Sequence, residues 1–214
     1  MECLVCNTVC HDFMDEKMGL ECHFCPFCKL IFKSPKQFSS LAIQKERYDL
    51  HENEESDKGY QAYFQRFLDF VLPLVGGPKS ALDFGCGSTS LLSKMLNKEG
   101  IKCDYYDPIY HPDLSCRQKN YDLIISTEVF EHLHNPKEVF ELLLSQLSKG
   151  GYLAIQTQFH DNSVEHYLSW YYRQDPTHIV FFAPETFRVL CEMFGCEVVG
   201  DNGKNMVVIQ KGFN

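Results

Sequence analysis

The spacing of apolar residues changes repeatedly between the period of a strand and that of a helix along residues 60–210. Apolar positions at helical spacing over 60–72 predict a helix, and the run Gly76, Gly77 and Pro78 predicts its end. The predicted strands are 80–84, 102–106, 121–126 and 152–157, and the later predicted helices are 88–97, 136–148 and 184–194. Alternating strands and helices predict an α/β fold with a doubly wound, mostly parallel sheet.

The pattern differs in two other parts of the chain. Near the C-terminus, the turn residues Asp201, Asn202 and Gly203 lie between two short apolar runs, which predicts an antiparallel hairpin. Residues 36–58 are polar and predict a linker or lid, helical in its first half, with His51 and Tyr60 as candidate lid residues. The predicted units are 1–35, a small cysteine-rich module, 36–78, a linker and helical lid, and 79–214, the α/β domain.

Composition limits the expected partners. A chain of 214 residues with 44% hydrophobic residues can bury one core and a small appendage. It carries 20 basic and 29 acidic residues, so we expect neither nucleic acid nor an anionic membrane as a partner, because lysine and arginine neutralise phosphates. The basic residues Lys29, Lys33 and Lys36 are expected to face solvent. The first residues do not resemble a signal peptide and no apolar run reaches the ~18 residues of a membrane span, so we expect a cytoplasmic protein.

Six of the eleven cysteines lie in the first 28 residues. In a reducing compartment such a cluster indicates metal binding rather than disulfides. Two CxxC pairs, eighteen residues apart, have the spacing of a structural four-thiolate zinc site. The favoured ligands are Cys3, Cys6, Cys25 and Cys28. Cys22 also forms a CxxC with Cys25, but Pro26 and the strand-like run after Cys28 favour the first set, leaving Cys10 and Cys22 as bystanders or reserve ligands.

A glycine loop follows the strand predicted at 80–84. Its candidate ligand-binding residues are Asp83, Gly85, Cys86 and Gly87. Glycines let a ligand approach the backbone, and the following helix start attracts a carboxylate or phosphate. Asp107 ends the next strand, twenty residues past Gly87, where an acid can bind ribose hydroxyls. Asp83 would repel a pyrophosphate and suits an ammonium group instead.

Three stretches resemble the class I S-adenosylmethionine-dependent methyltransferases. They are LDFGCG at 82–87, YYDP at 105–108 and YDLIISTEVFEHLHNPKEVFELLLSQLSKGGYLAIQT at 121–157. The resemblance covers roughly residues 60–210, and the cysteine module is similar to that of a bacterial branch with an N-terminal zinc ribbon. It implies a Rossmann-like fold with S-adenosylmethionine as cofactor. By the same resemblance, the glycine loop lines the methionine part, Asp107 takes the ribose, and Thr127 and Glu128 face cofactor or substrate.

One region departs from the family pattern. Only thirteen residues, 108–120, separate Asp107 from Tyr121, where the family usually places a helix and a strand. We therefore predict a shortened connection there. The candidate adenine contacts within it are Pro108, Leu114 and Ser115.

Two histidines are candidate general bases for an acceptor that must lose a proton. His132 follows the strand predicted at 121–126, at the sheet edge where such sites lie, and His178 lies in a loop beside Asp175. Local packing of His132 and loop bracing by His178 remain open alternatives. The aromatic run 170–172 suits either a substrate wall or core packing.

The leading functional hypothesis is methyl transfer from S-adenosylmethionine to oxygen, carbon or nitrogen of a small molecule. Methylation of RNA or protein, with the zinc module gripping the substrate, is the second hypothesis. A non-catalytic scaffold that binds the cofactor is the third. The sequence leaves the acceptor and the oligomeric state open.

Overall fold

The computed structural model describes residues 1–38, 43, 45 and 56–213. The predicted lid residue His51 and most of the helix predicted within 36–58 lie outside the described residues. The strands are β1 (His11–Asp15), β2 (Leu20–Phe24), β3 (Ile31–Lys33), β4 (Ser80–Phe84), β5 (Lys102–Tyr106), β6 (Tyr121–Thr127), β7 (Leu147–Gln156), β8 (Val180–Phe181), β9 (Cys196–Asp201) and β10 (Met206–Lys211). The α-helices are α1 (Lys58–Val71), α2 (Leu91–Lys98), α3 (Pro136–Gln146), α4 (Val164–Ser169) and α5 (Pro184–Phe194). None of the described helices is both long and apolar enough to cross a bilayer.

The larger sheet has six strands in the order β5-β4-β6-β7-β10-β9. Its first four strands are parallel, and β10 runs antiparallel to both β7 and β9. The predicted α/β class, with a mostly parallel sheet and a C-terminal antiparallel hairpin, is confirmed. Because the chain passes from β5 to β6 on the opposite side of β4, the sheet has a switch point at β4, beside which ligands bind in such folds.

Helices cover both faces of this sheet. Side chains alternate along β6, so that Leu123 and Ile125 pack with the helices α1 and α2. Ile124 points to the opposite face and belongs to the cluster that contains Phe140 of α3 and Phe187 of α5. The layers therefore hold the carboxyl ends of β4, β5 and β6 in fixed positions.

The connection from β5 to β6 is short, as the thirteen-residue spacing predicted. Residues 107–120, all of which the structure describes, contain a bridge between Asp107 and His111 and a single 3-10 turn, Leu114–Gln118, with no further strand. The strand β5 is therefore an edge strand of the sheet.

The N-terminal strands form a second sheet in the order β1-β2-β3-β8. Its last strand comes from the α/β domain, with Ile31 of β3 opposite Phe181 of β8. In addition, the hydroxyl of Thr186 donates to the carbonyl of Cys28 at 2.8 Å. The N-terminal strands and the α/β domain thus share one core, and the unit boundaries at residues 35 and 78 stay predictions about the sequence.

Several local expectations were wrong. Lys33 does not face solvent: it is 1% exposed, and its Nζ donates to the carbonyl of Asp175 at 3.0 Å. Burial lowers the pKa of Lys33 to about 8. The helix predicted over 136–148 ends at Gln146, and β7 begins at the next residue and includes Gly150 and Gly151. Gly150 has φ +71° and accompanies a register shift against β6, so it forms a bulge in β7.

Candidate functional site

A cavity of about 590 Å³ opens where β4, β5 and β6 end. It brings together nine of the predicted cofactor residues and both candidate bases. These are Tyr60, Asp83, Gly85, Cys86, Gly87, Asp107, Pro108, Thr127, Glu128, His132 and His178. Leu114 and Ser115, which lie in the 3-10 turn, are not among the described residues that line it.

The glycine loop has two glycines in the left-handed region, for different reasons. Gly85 has φ +81°, and an added Cβ would lie 2.2 Å from Cγ2 of Val129. Gly87 has φ +63°, and an added Cβ would meet no described atom within 4 Å. The first glycine is therefore required by contact with Val129, whereas the second leaves open space toward the cavity.

Asp83 was predicted as a residue of the glycine loop. In the structure it lies near the end of β4, just before that loop. Its carboxylate accepts a hydrogen bond from the backbone N–H of Ser93 in α2, at 3.2 Å. The side chain is 1% exposed, and burial raises the pKa of Asp83 to about 7. The acid therefore joins β4 to α2 while still lining the cavity.

Asp107 holds the glycine loop against the end of β5. Its Oδ2 accepts from the N–H of Gly87 at 3.1 Å, and its Oδ1 accepts from the N–H groups of Ile109 and Tyr110 at 2.8 and 3.0 Å. A carboxylate offers about four acceptor positions, so about one remains for a ligand hydroxyl. These contacts fix the carboxylate in one orientation.

Two carboxyl groups lie beyond Thr127 at the end of β6: that of Glu131 is buried and that of Glu128 is half-buried. Tyr63 donates its hydroxyl to Oε1 of Glu128 at 2.6 Å. The Tyr172 hydroxyl lies 2.6 Å from Oε1 of Glu131 and 3.3 Å from Oε2 of Glu128, and Thr157 donates to Oε2 of Glu131 at 2.8 Å. Burial, together with the neighbouring carboxylate of Glu131, raises the pKa of Glu128 to about 8. Burial also raises the pKa of Glu131.

The two candidate bases lie side by side, with ring centroids 4.8 Å apart. Nδ1 of His132 lies 2.9 Å from the carbonyl oxygen of Thr177, and Nδ1 of His178 lies 2.8 Å from that of Tyr172. A carbonyl only accepts, so each Nδ1 carries the proton and each Nε2 is unprotonated. Burial lowers the pKa of His178 to about 4 and also lowers the pKa of His132, which keeps both rings neutral near pH 7.

The aromatic run 170–172 does not form a wall of the cavity. None of its three members is among the described lining residues, and Tyr171 is 68% exposed. The aromatic lining comes instead from Tyr60, Tyr63 and Phe64 of α1 and from Tyr110. Tyr63 was detectable in the sequence, because it lies three residues after Tyr60 on one helical face.

The N-terminal cysteines form a separate cluster. The four sulfur atoms that lie within 4.8 Å of one another are those of Cys3, Cys6, Cys25 and Cys28. The pairs Cys3–Cys28 and Cys6–Cys25 are each 3.5 Å apart, close to the ~3.8 Å edge of a tetrahedron with 2.3 Å zinc–sulfur bonds. The donor set therefore fits zinc. Cys22 points away, with its sulfur 3.7 Å from the Tyr167 hydroxyl, and Cys10 is directed at the carbonyl of Thr8 at 3.7 Å.

Comparison with known proteins places this geometry in context. Residues 56–200 match the family model described as a methyltransferase domain. No curated protein matches the sequence. An N-methyltransferase from Bradyrhizobium japonicum, solved with S-adenosyl-L-homocysteine, is 12% identical with a TM-score of 0.50, the match covering 78% of this chain and 97% of that one. A possible histamine N-methyltransferase from Thermotoga maritima is 15% identical with a TM-score of 0.50, covering 81% and 96%.

A third similar structure is an O-methyltransferase family protein from Burkholderia thailandensis. It is 12% identical with a TM-score of 0.49, and the match covers 79% of this chain. The chain spans 63% of that protein's length. At such identities, the likeness of the first two structures shows a shared fold.

Proposed function

Because the chain belongs to the family of methyltransferase domains, we propose that it transfers a methyl group from S-adenosylmethionine to a small-molecule acceptor. The observation that carries the proposal is the hydrogen bond from Gly87 to Asp107, which joins the glycine loop to the acid at the end of β5 inside the cavity. Cavities of about 300–1,000 Å³ are typical of small-molecule sites, and the one described here is about 590 Å³.

In this proposal, different parts of the cavity take different parts of the cofactor. The open side of Gly87 admits the methionine part, whose ammonium group suits the Asp83 carboxylate when that group is ionised. The remaining acceptor position on Asp107 receives a ribose hydroxyl. Pro108 lies beside the adenine, and Tyr60 closes the cavity from α1. Thr127 and Glu128 border the space left for the acceptor.

Methyl transfer depends mainly on alignment of the acceptor atom with the methyl group and the sulfur of the cofactor. The acceptor atom attacks the methyl carbon, the carbon–sulfur bond breaks, and sulfur keeps the electron pair as S-adenosylhomocysteine leaves. Holding the acceptor in line with that bond contributes about 7–11 kcal/mol to such reactions. For an acceptor that carries a proton, the neutral rings of His132 and His178 are the proposed sites that receive it.

We further propose that the four clustered thiolates hold a structural zinc ion. Zinc would supply cross-linking free energy of about 10–16 kcal/mol to short N-terminal strands that cannot bury a core alone. The ligand set is closed, so this site takes no part in methyl transfer. Cysteines that form no disulfides persist in a reducing compartment, and for this reason we propose a cytoplasmic location.

Isothermal titration with S-adenosylhomocysteine tests the cofactor site. We expect Asp107→Asn to weaken binding at least about tenfold, since it loses a charge-assisted hydrogen bond. Asp113→Asn is the matched control, because Asp113 only caps the 3-10 turn by accepting from Ser115. Equal affinity in the wild type and Asp107→Asn would refute the placement.

The acceptor is tested with isotopically labelled cofactor and a cell extract separated into metabolites, RNA and protein. Label in the metabolite fraction supports the proposal. Label confined to RNA or protein would replace it with the macromolecular alternative. Cofactor binding without transfer to any fraction would favour a scaffold.

A further inference from the structure

One group of side chains in the cavity has a composition that methyl transfer alone does not require. Ligand atoms of Glu131, His132 and His178 all lie within 4.8 Å of one another. Glu131 and His132 belong to the 3-10 turn Phe130–His132 after β6, and His178 lies two residues before β8. We propose that these three side chains bind a divalent first-row transition-metal cation, in which case each Nε2 binds the metal instead of accepting a proton from the methyl acceptor.

The hydrogen bonds of the imidazoles prepare them as metal ligands. Each ring donates its Nδ1 proton to a backbone carbonyl, that of Thr177 or Tyr172, at 2.9 and 2.8 Å. Both Nε2 atoms are therefore unprotonated, which is the form that binds a metal, and Nε2 of His132 lies 3.9 Å from Oε1 of Glu131. In nearly every metal-bound histidine, the ring nitrogen that does not bind the metal donates such a hydrogen bond, which fixes the tautomer and the ring orientation.

The carboxyl groups also require positive charge or protons. Glu131 is fully buried, and Tyr172 joins it to the neighbouring Glu128. In the part of the chain that the structure describes, no lysine or arginine forms an ion pair with either group. A buried carboxylate without a cationic partner is costly, and a divalent cation would balance the charge of buried Glu131 together with that of half-buried Glu128. Glu128 is therefore a candidate fourth ligand.

The donor set selects the class of cation. One carboxylate with two imidazoles suits Mn²⁺, Fe²⁺, Co²⁺ or Zn²⁺ better than Mg²⁺, which prefers oxygen ligands. Ligands about 2.0–2.2 Å from one ion lie at most about 4.4 Å apart, so the 4.8 Å group needs to close by a few tenths of an ångström. His132 and His178 line the cavity, so unfilled coordination positions face it.

The test uses Mn²⁺ as the probe. The sample is the full chain loaded with one equivalent of zinc, which the four thiolates bind first because soft ligands prefer zinc. Electron paramagnetic resonance measures free Mn²⁺ during a titration. We expect one Mn²⁺ per chain, with affinity at least about 100-fold lower in His178→Asn and Glu131→Gln. His166→Asn, an exposed position on α4, is the matched control and should bind like the wild type.

Wild type that binds no Mn²⁺, or His178→Asn that binds it equally well, would overturn the proposal. Thermal unfolding of His178→Asn and Glu131→Gln shows whether either variant fails to fold. If one does, the Mn²⁺ affinity of the other variant decides the test. Titration of zinc-loaded, Mn²⁺-free protein with S-adenosylhomocysteine separates this inference from the proposed function. Mn²⁺ binding without cofactor binding supports the metal site alone, whereas cofactor binding without Mn²⁺ binding overturns the metal site alone.

Discussion

Replacing Gly85 with alanine tests whether the glycine loop is positioned by contact with Val129. The new methyl carbon would lie 2.2 Å from Cγ2 of Val129 and 3.3 Å from its Cβ. A valine side chain has few alternative rotamers, so rotation cannot clear three of its atoms at once. The loop or the turn after β6 must therefore move.

The magnitude follows from a comparison with Gly87. Both glycines have positive φ, so alanine at either position costs about 1–2 kcal/mol in backbone strain. Only Gly85→Ala adds overpacking, which costs about 1–3 kcal/mol in well-packed sites. We therefore expect Gly85→Ala to be less stable than Gly87→Ala by about 1–3 kcal/mol.

Urea unfolding of the zinc-loaded protein, followed by circular dichroism, measures this difference through the transition midpoint at constant slope. A third variant, Gly85→Ala with Val129→Ala, removes the colliding atoms. Its cost relative to Val129→Ala alone should fall to that of Gly87→Ala. Equal stability of Gly85→Ala and Gly87→Ala, or no such relief in the double variant, would refute the role of Val129.

Further predictions concern the four clustered cysteines and Asp83 of β4. Cys25→Ser should lower the zinc content measured by elemental analysis, and Cys22→Ser should leave it at one per chain; the reverse result would return Cys22 to the ligand set. Because burial raises the pKa of Asp83 to about 7, the folded state binds more protons than the unfolded state between about pH 4 and 7, so this group's contribution to stability falls as pH rises through that window. The stability of Asp83→Asn relative to wild type should therefore grow by about 2–4 kcal/mol from pH 5 to 8 in denaturant titrations, and a constant difference would contradict the buried protonated acid.

The parts of the site that follow directly from strand ends were predictable from the sequence. Gly85, Gly87 and Asp107 end or follow apolar runs, and the carboxyl ends of parallel strands meet at one edge of a sheet. The chain positions of such residues are therefore enough to bring them together. The alternation of strands and helices predicted the fold class for the same reason.

The carboxyl and hydroxyl network was not predictable in this way. Glu131 is bonded by Tyr172 and Thr157, which are 41 and 26 residues away in sequence. Packing of the segment before β8 brings Tyr172 close, and the pairing of β6 with β7 brings Thr157 close. No periodicity encodes the approach of Tyr172. The burial of Lys33 was missed for a related reason: a three-residue strand gives too short a pattern to show that both of its faces are covered.

The pairing of β3 with β8 connects the thiol cluster to the cavity that His178 lines. Cys28 precedes β3 by three residues, and His178 precedes β8 by two. If the four thiolates hold zinc as proposed, a chelator or peroxide that removes the zinc would loosen β3, which pairs with the strand that follows His178. The proposed methyl transfer should then decline under oxidative stress, although none of the four clustered cysteines is among the described residues that line the cavity.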